Sequence, residues 1–151
     1  MKLRRYIEID CSELARLIYE TDHSVCIGDY TEEQVQAWAS GDVDLERWNR
    51  KYLDSYTVVC EEGGEIIGFG NITDAGYLDM LFVHKDHQGK GIASAICSAL
   101  EESCRAERIT VNASITAKPF FERRGYRVVR EQQIERKGVI LTNFAMEKDM
   151  R

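Results

Sequence analysis

Residues 77–114 leave this chain few ways to fold. Tyr77-Leu-Asp-Met-Leu-Phe-Val83 is apolar at nearly every position, the mark of a strand covered on both faces. A polar turn follows, Gln88-Gly89-Lys90-Gly91. From there Ile92, Ala93, Ile96, Cys97, Leu100 and Cys104 recur as one helical stripe, with Glu101, Glu102 and Arg105 away from it. Ile109, Val111 and Ala113 then alternate with Thr110, Asn112 and Ser114, which is the period of a strand. Strand, helix and strand joined in this way form a right-handed parallel crossover. The remaining elements must be built around that unit.

Before it, Leu14, Ala15, Leu17, Ile18 and Val25 have helical spacing after Ser12, a helix cap with Asp10 just ahead. Thr31 followed by Glu32, Glu33 and Gln34 reads as a second helix start with capping-box spacing. A third short helix is expected from Asp44 to Leu53, carrying Leu45 and Trp48. The period then changes: Thr57–Cys60 is strand-like, Gly63-Gly64 signals a hairpin, and Ile66–Ile72 is the returning strand. After the crossover, Pro119 suits the first turn of a short helix that Gly125 ends. Two strands close the chain, over 126–136 and 139–148. The order is helices, three strands, helix, strand, short helix and two strands. It predicts an α+β fold, a single domain over 1–151 with a mixed, mostly antiparallel sheet flanked by helices.

The chain has 20 Lys and Arg against 26 Asp and Glu, a formal charge of −6. A net-acidic chain is a poor partner for nucleic acid or an anionic membrane, and neither is expected. The N-terminal residues show neither the apolar core of a signal peptide nor a membrane-spanning run. Five cysteines (11, 26, 60, 97 and 104) form no C-x-x-C pair, so no disulfide framework and no metal site is expected. Free thiols in a reducing cytoplasm are the reading. Cys97 and Cys104 lie on the apolar stripe and read as core.

The turn at Gln88–Gly91 is where chemistry is expected. Glycines there let a ligand approach the backbone, and the first N–H groups of the following helix lack internal partners. Together with the helix dipole they suit a phosphate. Neither G-x-x-x-x-G-K-[ST] nor G-x-G-x-x-G is present, which excludes a P-loop and a dinucleotide fingerprint. Gln88-Gly-Lys-Gly91-Ile-Ala93 instead resembles the Q/R-x-x-G-x-G/A acetyl-CoA signature of the GNAT N-acetyltransferase superfamily, and LFVHKDHQG before it is typical of that family. Residues 114–126, Ser-Ile-Thr-Ala-Lys-Pro-Phe-Phe-Glu-Arg-Arg-Gly-Tyr, resemble the family's N-x-x-A-x-x-x-Y-x-x-x-G-F segment. The element order also matches, so the resemblance covers nearly the whole chain.

The resemblance implies a GNAT-like sheet splayed in the centre, and acetyl-CoA as cosubstrate with no metal. Its pyrophosphate would meet backbone N–H groups of Gln88, Gly89, Lys90, Gly91, Ile92 and Ala93. Its pantetheine arm would pair with the main chain of Leu81, Phe82 and Val83, where that strand parts from the one holding Asn112 and Ser114. Ser114 replaces the family's usual Asn. Phe121 stands where the family often has the Tyr that protonates the departing thiolate, and phenylalanine has no proton to give. Lys118, Arg123 and Arg124 would offer countercharge to the 3′-phosphate of CoA. Residues 118–137 hold seven Lys and Arg against three Glu. Residues 1–55 hold seven positive and twelve negative charges, which suits entry of a cationic amine on that side.

The reaction implied is direct attack of a primary amine, on a small molecule or an exposed protein group, on the thioester in a ternary complex. Asp79, a carboxylate in an apolar strand and on the face of Tyr77, is the candidate base, with burial expected to raise its pKa. The oxyanion would meet the N–H of Phe82 or Val83. His23 reads as base, acceptor ligand or helix-end cap, and Tyr30 as a replacement for the missing acid. Trp38 and Trp48 at helical positions read as core rather than pocket. The other reading is a non-catalytic acyl-CoA-binding module of GNAT fold, for which Phe121 argues. The sequence does not name the acceptor. An edge strand near the C-terminus would suit pairing into a homodimer.

Overall fold

In the computed structural model, residues 1–22, 31, 44–136 and 138–150 are described. His23, Tyr30, Trp38, Cys26 and the helix read from Thr31 onward therefore lie outside the described residues, Thr31 itself excepted. The chain runs β1 (Lys2–Arg5), α1 (Cys11–Asp22), α2 (Leu45–Asp54), β2 (Tyr56–Glu62), β3 (Glu65–Ile72) and β4 (Tyr77–Val83). It continues through α3 (Ile92–Ser103), β5 (Arg108–Ser114), α4 (Lys118–Arg123), β6 (Arg127–Arg136) and β7 (Val139–Asp149).

The seven strands form one sheet in the order β1-β2-β3-β4-β5-β7-β6. β4 and β5 are parallel and the other neighbours are antiparallel, so the crossover expected over 77–114 is present. The sequence reading missed β1. Lys2-Leu-Arg-Arg5 has a single apolar residue, and an edge strand of that kind carries no hydrophobic period. Arg4 anchors it through bonds to Glu61 and to both oxygens of Asp10. Asp10 also accepts the N–H of Ile7 at 2.9 Å. The first helix therefore begins at a turn closed by Asp10, and not at a cap on Ser12.

Two cores lie on the two faces of the sheet. Leu14, Leu17, Tyr52, Val59 and Phe69 fill the face under α1 and α2. Ile96, Cys97, Leu100, Leu78, Ile109 and Val111 fill the face under α3. α3 lies against bare backbone there: a Cβ on Gly70 would come within 2.8 Å of Ile96 Cγ2. Cys11, Cys60 and Cys97 are buried free thiols and Cys104 is partly buried. Burial pushes the Cys97 thiol up to about 12, which fits a core side chain rather than a nucleophile. Among the described residues, no helix is long and apolar enough to cross a membrane.

Candidate active site

The central strand changes register halfway along. Asn71 of β3 faces Met80 and Ile72 faces Leu78, which leaves Asp79 as the extra residue of a β-bulge. The side chains record the same shift. Leu78, Leu81 and Val83 belong to the core under α3, whereas Met80 and Phe82 pack on the opposite core. Even and odd positions thus exchange faces across Asp79.

A buried polar network holds this bulge. Asn71, fully buried, accepts the Met80 N–H on Oδ1 at 2.9 Å and donates to Ser55 Oγ at 3.0 Å. Ser55 in turn donates to the Lys51 carbonyl at 2.8 Å, and Thr57 donates to the Tyr52 carbonyl at 2.7 Å. The last turn of α2 is thereby tied to the bend in β4. The sequence reading passed over Asn71. Its signal was there, as the one amide inside the otherwise apolar run Ile66–Ile72.

Beyond the bulge the sheet opens. β4 and β5 are paired only at Tyr77 with Thr110 and Leu78 with Val111. β5 continues to Ser114 paired with β7 alone. The N–H of Met80 and that of His84 both point to β3, at Asn71 Oδ1 and the Ile67 carbonyl. Backbone alternation turns the N–H of Phe82 to β3 as well, and those of Leu81 and Val83 into the gap. This corrects the expectation for Phe82 as an oxyanion donor.

At the far end of β4 the chain makes a single 3-10 turn, Lys85–His87, and enters α3. Gly89 and Gly91 have φ of 75° and 79°, the left-handed region that glycine adopts without strain. A Cβ on either would meet nothing within 4 Å, so the space beside both glycines is open. The helix ladder begins with Ala95 N–H to the Gly91 carbonyl, which leaves the N–H groups of Ile92, Ala93 and Ser94 without helical partners. Gln88 folds back and donates to the Val83 carbonyl at 2.7 Å. That bond fixes the turn to the end of β4.

The chain matches the acetyltransferase (GNAT) domain family over residues 26–148. It is 35% identical to the uncharacterized N-acetyltransferase YafP of Escherichia coli K12, over 97% of this chain and 94% of that protein. The chain belongs to the GNAT acetyltransferase family. It is an acyltransferase. Among solved structures it is similar to a GCN5-related N-acetyltransferase from Rhodopseudomonas palustris, with TM-score 0.92, 30% identity and coverage of 98% and 94% of the two chains. The fold is also that of YncA from Salmonella typhimurium, solved with its cofactor acetyl-CoA, at TM-score 0.74, 18% identity and coverage of 100% and 94%.

Within this GNAT domain the other expected site residues fall into two groups. Asn112 and Ser114 border the opened gap on β5. Ser114 Oγ accepts the Ala117 N–H at 3.1 Å. Lys118 reaches Glu122 at 3.4 Å and lies over the Phe144 ring. Two residues depart from expectation. Phe121 is 2% exposed and packs edge-on against Tyr126, so its ring is part of the core. Arg124 binds Glu101 at 2.7 Å, together with Ser98 Oγ and the Ser94 carbonyl. Its guanidinium braces α4 against α3, and the countercharge role does not fit it. The Glu101 carboxyl is pushed up by burial, but the bonds from Arg124 and Tyr126 outweigh this and hold it below the usual range.

Asp79 shares the face of Tyr77, as expected, but not an apolar enclosure. Its carboxylate pairs with Lys51 at 3.2 Å and keeps 20% of its side-chain surface exposed. The bulge lifts it out of the strand interior. Tyr77 itself accepts a hydrogen bond from Asn112 Nδ2 at 3.3 Å, across the point where the strands part.

Proposed function

We propose that this GNAT protein transfers an acetyl group from acetyl-CoA to a primary amine by direct attack in a ternary complex. The observation that carries the reading is the unpaired edge between β4 and β5 beyond Leu78 and Val111. An extended chain with amide groups fits there as an extra strand, bonding the main chain of Leu81 and Val83, with Asn112 and Ser114 on the far side. The open turn at Gln88–Ala93 and the N-terminus of α3 then lie where a pyrophosphate needs N–H donors. Lys118 adds positive charge near the same side.

The chain's own groups supply the chemistry as follows. The N–H of Leu81 or Val83 faces the gap and would donate to the oxygen on which charge develops. Asp79 would take the proton the amine must lose, and Lys51 holds that carboxylate on the acceptor face. The net-acidic segment 1–55 favours a cationic acceptor. Release of CoA thiol on mixing with acetyl-CoA and an amine library, alongside calorimetry of CoA binding, tests the reading. Acceptor-dependent thiol release is the expected result. Tight binding without release across the library would identify the second reading, a non-catalytic acyl-CoA-binding module, which the buried Phe121 ring favours. No binding at all would remove both.

A further inference from the structure

We propose that Tyr77 is the proton donor of the reaction, its phenol hydroxyl protonating the CoA sulfur as the thioester bond breaks. The inference rests on the acetyl-transfer reading above and supplies the group that reading lacks. Phe121 has no hydroxyl and is sealed in the core. Three of the other described tyrosines are engaged or enclosed. Tyr6 donates to Asn49 and Tyr126 donates to Glu101, while Tyr52 is 1% exposed among aromatic rings.

Tyr77 is placed differently. It lies in the last stretch where β4 and β5 are paired, and its Oη reaches Asn112, one residue beyond the final pair Leu78 and Val111. The hydroxyl therefore stands at the mouth of the gap, on the face that carries Asp79. Three amides fix which way its proton points. Gln132 Nε2 donates to Asn143 Oδ1 at 2.9 Å and to Asn112 Oδ1 at 3.2 Å. With its carbonyl taken, Asn112 must present its NH₂ group to Tyr77 Oη. The phenol oxygen thus accepts, and its proton is left for a partner in the gap. The same N–H stabilises the phenolate once the proton has gone.

Charged groups facing the phenol are Asp79 from its own strand and, through Asp79, Lys51 from α2. Burial first and the Asp79 charge second push the hydroxyl above its ordinary range, against the opposing effect of Asn112. It therefore stays protonated at neutral pH, as an acid must. In the step, the amine nitrogen bonds the acetyl carbon and the C–S bond breaks with its electron pair on sulfur. The proton of Tyr77 passes to sulfur and gives the CoA thiol. The proton released by nitrogen goes to Asp79 or to solvent, and water reprotonates the phenolate.

Tyr77→Phe keeps the ring and removes the proton. With an amine that the wild type acetylates, kcat is expected to fall about 100-fold, the lower end of general acid catalysis. CoA affinity by calorimetry and the melting temperature should stay at wild-type values. 3-Fluorotyrosine at position 77, a more acidic phenol, should move the alkaline limb of kcat to lower pH. Its fluorine resonance should shift when CoA is added without acceptor. Asn112→Ala removes the amide that orients the phenol and should lower kcat. If the wild type acetylates amines but Tyr77→Phe stays within about threefold of its kcat, or the fluorine resonance ignores CoA, the proton-donor role is overturned and acetyl transfer stands. If the wild type acetylates no amine in the library, both readings fall.

Discussion

Asn71→Leu removes the polar clamp on the bulge while keeping a side chain of similar size. Two hydrogen bonds disappear, from Met80 N–H at 2.9 Å and to Ser55 Oγ at 3.0 Å. Ser55 retains the Lys51 carbonyl, so losing Asn71 costs it about 1 kcal/mol. The Met80 N–H loses its side-chain acceptor, and leaving such a group unsatisfied costs about 1–3 kcal/mol. The expected destabilisation is therefore about 2–4 kcal/mol by urea unfolding, a large share of a marginal stability. Acetyl transfer should fall further than the unfolded fraction explains, because the bulge decides whether Leu81 and Val83 face the gap. Asn71→Asp keeps the acceptor for Met80 and should recover part of both losses. A change below about 0.5 kcal/mol with normal KM for acetyl-CoA would refute the clamp, since surface-like substitutions fall in that range.

Gly91→Asp puts a negative charge at the helix N-terminus, where a Cβ meets no neighbour. CoA affinity by calorimetry should drop at least about tenfold, from charge repulsion of a phosphate at close range, while the left-handed φ of 79° adds a stability cost of about 1–2 kcal/mol that Gly91→Ala shares and so controls for. Phe121→Tyr would bury a hydroxyl in the core beside Tyr126; denaturation should show a loss of about 1–3 kcal/mol with no gain in thiol release. Glu101→Gln removes a carboxylate whose folded pKa is held down by Arg124 and Tyr126 against the effect of burial. A depressed pKa adds stability above the ordinary carboxyl range that is lost as pH falls through the folded value. Urea midpoints of wild type and Glu101→Gln should therefore differ at pH ~7, with the gap starting to narrow below the unfolded glutamate pKa of about 4.3 and closing only once pH is under the folded value.

Much of the fold was legible because its signals are local. The alternation of Ile109, Val111 and Ala113, the stripe from Ile92 to Leu100, Pro119 opening a helix and Gly125 with φ of 92° closing it are each set by neighbours in the chain. The glycine turn before α3 was legible for the same reason: glycine conformation and a helix start are properties of a few consecutive residues. β1 was not legible, since Lys2–Arg5 is held by pairing and by Arg4 bonds to partners as far away as Glu61. Phe121 and Arg124 sit at the expected sequence positions and still do other work. Whether a ring faces a gap or a core depends on what α3 and β6 bring against it.

The sequence by itself determined the order of elements, the parallel crossover, the anion-suited turn and the family. It also placed a carboxylate on the central strand. Only the tertiary structure decided that the strand bulges at Asp79, that Asn71 and Ser55 hold the bend, and that Tyr77 meets Asn112 where the strands part. The physical reason is distance along the chain. Tyr77 and Asn112 are 35 residues apart and Asn71 and Ser55 are 16 apart, so no local period or spacing encodes their meeting.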